Sequence, residues 1–291
     1  MNLVYFKLVL VMFFWGTAFV SGRILTQSYH PFSVAFIRFL LASLILLPLL
    51  IKRNPYFFKI TWRQWLKVLF LVATGVFAYN YFFFNGLKLI EAGRSSIIIS
   101  MNPAITAIGA IFLLDEKLTN KKIWGFILAL TGAFVVISRG KISILLHGGF
   151  GIGELYMLGA VLSWVSYTLF GKVALTKITP YEATTWSALI GACMLLPFAL
   201  EHQLSAVFEQ ADIWNWMHLL NLGVFFICFG FIWYYEGIKE IGASRASSFI
   251  SLVPIFGTAC GVIFLGEELS PPILLGGAIV IYGVYLVNRK S

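Results

Sequence analysis

Two prolines, each preceded by serines at helical spacing, are the residues best placed to do chemistry. Ser96, Ser100 and Pro103 form one set; Ser247, Ser251 and Pro254 form the other. A proline inside a helix removes one backbone hydrogen bond and crowds the carbonyl four residues back. Those carbonyls belong to Ile99 and Ile250. In a hydrocarbon setting a freed carbonyl must be met by protein, water or a ligand. Two readings stand. Each set is a kinked helix patched by its own hydroxyls, or the pair is a matched interruption that offers hydrogen bonds to a solute. Asn102, beside Pro103, faces Val253 in the other set, so it adds an amide on one side only.

Trp15 and Trp164 hold matching places in two apolar runs, away from the run ends where tryptophan usually collects. Trp164 shares a helical face with Tyr167 and Gly171, and Trp15 shares one with Phe19 and Gly22. Tyr79, Asn80 and Phe83 in a third run, and Phe231, Tyr234 and Tyr235 in an eighth, are of the same type. Such rings with polar tips suit a chamber that is part apolar and part wet, and they equally suit packing or lipid contact. Arg38 lies about one turn inside a run, where charge is costly. It either snorkels to an interface or acts on an anionic group or a gate. Glu116 and Glu267 close two runs in equivalent positions, as helix-end anchors or as gate partners for a base such as Arg38.

Bond-breaking chemistry is poorly provided for. His30, His147, His202 and His218 fall in loops or at run ends without ligand spacing, and Cys193, Cys228 and Cys260 lie inside apolar runs. No phosphate loop, zinc motif or nucleophile elbow is present, and the Gly148 to Gly153 stretch follows no strand. No metal or cofactor is therefore expected. All twelve acids sit in loops or near run ends, so a dedicated mid-membrane proton or cation relay is missing.

The elements that must position these residues follow from composition. Of 291 residues, 60% are hydrophobic and 11% charged, against about 25% charged in a soluble domain. Such a chain cannot cover a water-facing surface, and disorder is excluded for the same reason. Ten apolar runs lie at 5–23, 33–51, 66–86, 95–114, 123–138, 154–175, 182–200, 214–235, 246–265 and 273–288. Each is near the roughly 20 residues a crossing helix needs. With the N-terminus inside, fifteen Lys and Arg fall on the cytoplasmic side and five on the other, with Arg38 inside a run. That asymmetry predicts a multi-pass membrane protein with both termini cytoplasmic. It also accounts for the net charge of +9 without nucleic acid.

The chain repeats itself. Placing 86–136 on 237–287 gives fifteen identities in 51 positions, among them Lys88 on Lys239, Arg94 on Arg245, Pro103 on Pro254 and Glu116 on Glu267. Earlier in the chain an offset of 149 puts Trp15 on Trp164, Gly22 on Gly171, Pro31 on Pro180 and Pro48 on Pro197. The halves are 3–140 and 151–288. Five runs per half is an odd number, so the second half starts on the side where the first ended. The expected fold is an all-α membrane protein of ten transmembrane helices in two inverted five-helix repeats, a layout typical of alternating-access transporters. Gly125 with Gly132, and Gly276 with Gly283, provide small residues one heptad apart, for scaffold or dimer contacts.

Trp15-Gly16-Thr17-Ala18-Phe19, Arg38-Phe39-Leu40-Leu41, Pro103 with Glu116, and Gly242-Ala243-Ser244-Arg245-Ala246-Ser247 followed by Pro254 and Gly266-Glu267 resemble the EamA family of the drug/metabolite transporter superfamily. The resemblance spans nearly the whole chain as two repeats. It implies ten helices around a central cavity lined by runs 1, 3, 4, 6, 8 and 9. Similar members export amino acids and other metabolites, while relatives move nucleotide sugars or import metabolites. The small multidrug relatives use an acid in their first helix; this chain has none there, which argues against cation-drug antiport. The expected partners are a small-molecule solute and the lipid bilayer, with the chain a monomer or homodimer. The site residues expected are Trp15, Tyr79, Asn80, Ser100, Asn102, Trp164, Tyr167, Tyr235 and Ser251, with Arg38, Pro103, Pro254, Glu116 and Glu267 as gating or structural groups. An importer or exchanger of a nucleotide-linked or cationic metabolite is the alternative. A lipid-modifying membrane enzyme is the rival from another class.

Overall fold

Apolar side chains at most positions leave the backbone polar groups as the problem to solve, and a helix solves it within one segment. All regular structure among the described residues is helical. The structure is a computed structural model that describes residues 3–54, 61–89, 98–117, 119–138, 151–176, 178–265 and 271–288. The helices are α1 (Leu3–Ser28), α2 (Pro31–Arg53), α3 (Trp62–Leu71), α4 (Tyr79–Leu89), α5 (Asn102–Leu114), α6 (Asn120–Ser138), α7 (Ile152–Ala174), α8 (Pro180–Glu201), α9 (Leu204–Gln210), α10 (Ile213–Leu220), α11 (Gly230–Ile241), α12 (Ala243–Ser248), α13 (Val253–Leu265) and α14 (Pro271–Asn288). Among the described residues six stretches are long and apolar enough to cross a membrane: Leu3–Ser28, Pro31–Arg53, Trp62–Phe83, Ile152–Ala174, Pro180–Glu201 and Ile213–Ile241. Asn102–Leu114 and Leu274–Asn288 are shorter apolar helices.

Helix starts follow local chemistry. Pro31 and Pro180 both open their helices, where a missing N–H costs nothing. Thr179 and Glu182 form a capping box on α8, and Asp212 accepts the Asn215 N–H at 2.8 Å to cap α10. Pro48 and Pro197 lie inside α2 and α8. The run at 95–114 is broken, with α5 restarting at Asn102; Ser96 lies outside the described residues. The run at 246–265 is broken by a 3-10 turn, Phe249–Leu252, just before Pro254.

Two breaks have no counterpart in the expectations above. A π-helical segment, Val72–Ala78, joins α3 to α4, and a second, Asn221–Phe229, joins α10 to α11. Each winds wider than an α-helix, as π-turns near functional sites often do. They begin 149 residues apart, the same offset that sets Trp15 on Trp164.

The core lies between α1, α2, α7, α8 and α11. Outward-facing apolar side chains are plentiful, including Leu44, Phe112, Ile263 and Leu274, as a lipid-facing exterior requires. The helices α6 and α14 pack side by side through the four glycines noted in the sequence. A Cβ on Gly132 would stand 2.6 Å from the Gly276 carbonyl oxygen, and one on Gly283 2.7 Å from that of Gly125. These small residues therefore serve a contact within the chain.

Candidate functional site

Trp15 of α1 and Trp164 of α7 meet edge to face, centroids 5.2 Å apart and planes at 84°. This is a favoured ring geometry, contributing about 0.5–1.5 kcal/mol beyond burial. Tyr234 packs on Trp15 at 5.2 Å, and both Tyr79 and Tyr167 on Trp164 at 5.2 Å. Tyr235 extends the cluster from Tyr167 at 5.1 Å. Apart from the half-buried Tyr79, these rings are almost wholly buried. Glycines allow the close approach. A Cβ on Gly75 would collide with the Tyr167 ring, and one on Gly171 would lie 2.5 Å from the Tyr235 ring.

The π segments hold the cluster by their carbonyls. Trp15 Nε1 donates to the Phe226 carbonyl at 3.2 Å, inside the second segment. Asn80 Nδ2 donates to the Val76 carbonyl, inside the first. Asn80 Oδ1 in turn accepts from Arg38 Nη2 at 2.7 Å. Arg38 is thus turned inward, 9% exposed, with the Phe39 and Phe226 rings each 5.2 Å from its Cζ. Snorkelling, one of the two expectations for this residue, is not what it does.

The proline breaks are resolved differently from the expectation. The Ile99 carbonyl accepts from Asn102 Nδ2 at 2.9 Å, and the Ile250 carbonyl accepts from the Val253 N–H. Neither is left free for a solute, because the chain beside each proline folds back to satisfy it. The buried Asn102 Oδ1 and Ser251 Oγ complete no hydrogen bond among the described residues. Ser100 is buried as well. Ser100, Asn102 and Ser251 therefore sit at the two breaks, while Trp15, Tyr79, Asn80, Arg38, Trp164, Tyr167 and Tyr235 form the central cluster.

Glu116 does not meet Arg38. Its Oε1 accepts the Ala243 N–H at 2.9 Å, capping α12, and its Oε2 lies 3.5 Å from Lys122 Nζ. In this structure its carboxylate anchors a helix end. Glu267 lies outside the described residues. The same end of the bundle carries Lys7 on Glu236 at 2.6 Å and Lys172 Nζ on the Ile238 and Lys239 carbonyls at 2.7 and 2.8 Å.

Comparison with known proteins decides the family. The model of the EamA-like transporter family matches residues 2–138 and again 151–289. The chain belongs to the EamA-like transporter family. An uncharacterized transporter of Archaeoglobus fulgidus is 30% identical over 97% of this chain and 98% of its own length. The uncharacterized transporter YyaM of Bacillus subtilis is 28% identical over 97% of this chain and 92% of its own. The chloroplastic WAT1-related protein At3g02690 of Arabidopsis thaliana is 27% identical, covering 97% of this chain and 68% of that protein. A solved crystal structure superposes with a TM-score of 0.75 over 99% of this chain and 96% of the other, at 17% identity, and so shares the fold. The family and the Archaeoglobus and Bacillus relatives are named as transporters, and the apolar helices fit a multi-pass membrane protein.

This EamA-like transporter also contains polar groups that sequence reasoning passed over. Thr17, Ser21, Asn221 and His218 link α1 to α10 and the second π segment. Asn221 Nδ2 donates to Ser21 Oγ at 2.9 Å and to Thr17 Oγ1 at 3.3 Å, and Ser21 Oγ lies 3.1 Å from His218 Nδ1. Thr17 and Ser21 are four residues apart and so share a face, the available signal. Beyond His218, Asn215 Nδ2 donates to the Tyr29 hydroxyl at 3.3 Å. This polar track runs from beside Trp15 to the end of the bundle opposite Glu116. Phe226 was likewise missed. Its contact with Trp15, 5.6 Å between centroids, depends on the π turn that presents it.

Proposed function

We propose that this EamA-like protein is an alternating-access transporter that exports amino acids or related small solutes. Its ten helices cross the inner membrane as two inverted five-helix repeats, 3–140 and 151–288, with both termini cytoplasmic. The contact between Trp15 and Trp164 carries the reading. Two residues at equivalent places in the two repeats meet at 5.2 Å in the middle of the chain's packing. A pseudo-twofold axis would bring equivalent residues together along its line, as it would the equivalent glycines of α6 and α14. The matched π segments support it, since a wide turn in each half is a place where helix ends can reorient. Rocking of one half against the other would part the two tryptophans and open the ring cluster to one side, then the other.

Trp15, Tyr79, Asn80, Trp164, Tyr167 and Tyr235 would then shape the solute site, with Ser100, Asn102 and Ser251 as hydrogen-bonding groups at the breaks. The acids among the described residues lie at helix ends, so coupling to protons would have to run through the solute site itself, or not occur. The test begins with metabolite profiling of cells that overexpress the protein. Efflux of the solute so identified is then measured for Trp15→Ala and Trp164→Ala. Loss of efflux in both, with protein levels in the membrane unchanged, supports the site. Efflux equal to the parent in both removes it.

A further inference from the structure

Arg38 presents a buried cation with no anion to balance it. The ion pairs Lys7–Glu236 and Lys122–Glu116 lie at one end of the bundle, and no carboxylate among the described residues pairs with Arg38. Among the described residues its one hydrogen bond is to the neutral Asn80 amide, at 2.7 Å, and its Nε is buried without a partner. Burying a guanidinium without a counter-charge costs several kcal/mol, which packing on Phe39 and Phe226 only partly offsets. An ionisable side chain buried within a membrane span is costly enough to mark a functional site.

We propose that Arg38 is the receptor for a carboxylate carried by the transported solute. The idea rests on the transporter reading above and names the chemical class that its site takes. A guanidinium offers five N–H donors in a planar fork; among the described residues Asn80 takes one of them at Arg38, and Nε has no partner. A carboxylate takes two of them side by side. One carboxylate balances one buried cation, whereas a dianionic phosphate would leave a net negative charge in an apolar surround. The location suits an acid with an apolar body. Phe226 lies against the Arg38 guanidinium on one side and 5.6 Å from Trp15 on the other, so the charge stands one ring away from the tryptophan pair. Asn80, pinned to the Val76 carbonyl, is the positioning residue that keeps the guanidinium turned inward.

The purified full chain in detergent is titrated with 3-phenylpropionate, with its uncharged amide 3-phenylpropionamide, and with phenethylamine, following intrinsic tryptophan fluorescence. The parent protein is expected to respond saturably to the acid and at least tenfold more weakly to the amide and the amine. Arg38→Gln should weaken acid binding by about 30-fold or more. Arg38→Lys, which keeps the charge without the fork, should fall between. Unliganded Arg38→Gln should melt at or above the parent temperature, because an unbalanced charge has been removed. Equal response to acid and amide overturns the proposal, as does parent-like acid binding by Arg38→Gln or no saturable response to the acid. A lower melting temperature in Arg38→Gln that Arg38→Lys restores would assign Arg38 to bracing and overturn it too. Efflux of a neutral or cationic metabolite that Trp164→Ala abolishes would leave the transporter reading standing while this one falls.

Discussion

Glu116 accepts the backbone N–H of Ala243 across 127 residues of sequence, at 2.9 Å, and so ties the end of α5 to the start of α12. The chain reaches Ala243 through Gly242 at φ +91°, a conformation that favours glycine, and a Cβ there would lie 2.8 Å from the Glu116 carboxylate. Glu116→Ala removes the cap and leaves Lys122 without its partner. A loss of about 1–2 kcal/mol is expected, read as a lower midpoint in thermal unfolding in detergent. Glu116→Gln keeps an acceptor for Ala243 and should lose only about 0.5 kcal/mol. Equal losses in the two variants would mean that the charge, and not the cap, is what matters.

Gly22 and Gly171 occupy the same place in the two halves of the sequence, yet their surroundings differ. A Cβ on Gly22 would meet nothing within 4 Å, whereas one on Gly171 would strike the Tyr235 ring at 2.5 Å. Gly22→Ala should be neutral, or stabilising by up to about 1 kcal/mol through helix propensity. Gly171→Ala should cost about 1–3 kcal/mol as Tyr235 shifts off Tyr167, and solute efflux should fall with it. The two variants made side by side, assayed for melting temperature and efflux, separate a packing contact from mere symmetry.

Much of this arrangement was legible because the chain is written twice. Pairing Trp15 with Trp164, and Pro31 with Pro180, needed only the offset; the two tryptophans meet edge to face and both prolines open their helices. Residues whose part depends on a single turn were harder. A π turn adds one residue to the winding, which no apolar periodicity registers, so neither π segment nor the Phe226 carbonyl that Trp15 uses could be read in advance. Arg38 is a third kind of case. Its long side chain can reach an interface or a neighbour at similar backbone cost, and Asn80, 42 residues away, decides the direction. Asn102 was singled out for lacking a symmetric partner, but its amide goes to Ile99 in its own chain break.

Trp15 does two things at once, and a single substitution separates them. Trp15→Phe keeps a ring against Trp164 and Tyr234 but removes the Nε1 donor, leaving the Phe226 carbonyl of the second π segment unmet. Stability should drop by about 1–3 kcal/mol, the cost of stranding a buried acceptor. Hydrogen exchange should quicken around 221–229. Unchanged exchange there would show that the π turn holds itself without Trp15.

The glycine seam between α6 and α14 offers the sharpest test of the packing. Gly132 and Gly283 each face backbone atoms of the opposite helix at 2.6–2.7 Å from an added Cβ, and backbone cannot step aside as a side chain can. Gly132→Val or Gly283→Val should push the helices apart and destabilise the protein by about 1–3 kcal/mol or prevent its accumulation in the membrane. Gly277 is the internal control. It lies in the same helix as Gly283, but its added Cβ would come only within 3.9 Å of Ile255 side-chain atoms. Gly277→Ala should therefore stay within about 0.5 kcal/mol of the parent. Because the seam lies within one chain, all three variants should keep the parent's oligomeric state in light scattering. A shift in molar mass with Gly132→Val would instead place that face between copies of the chain.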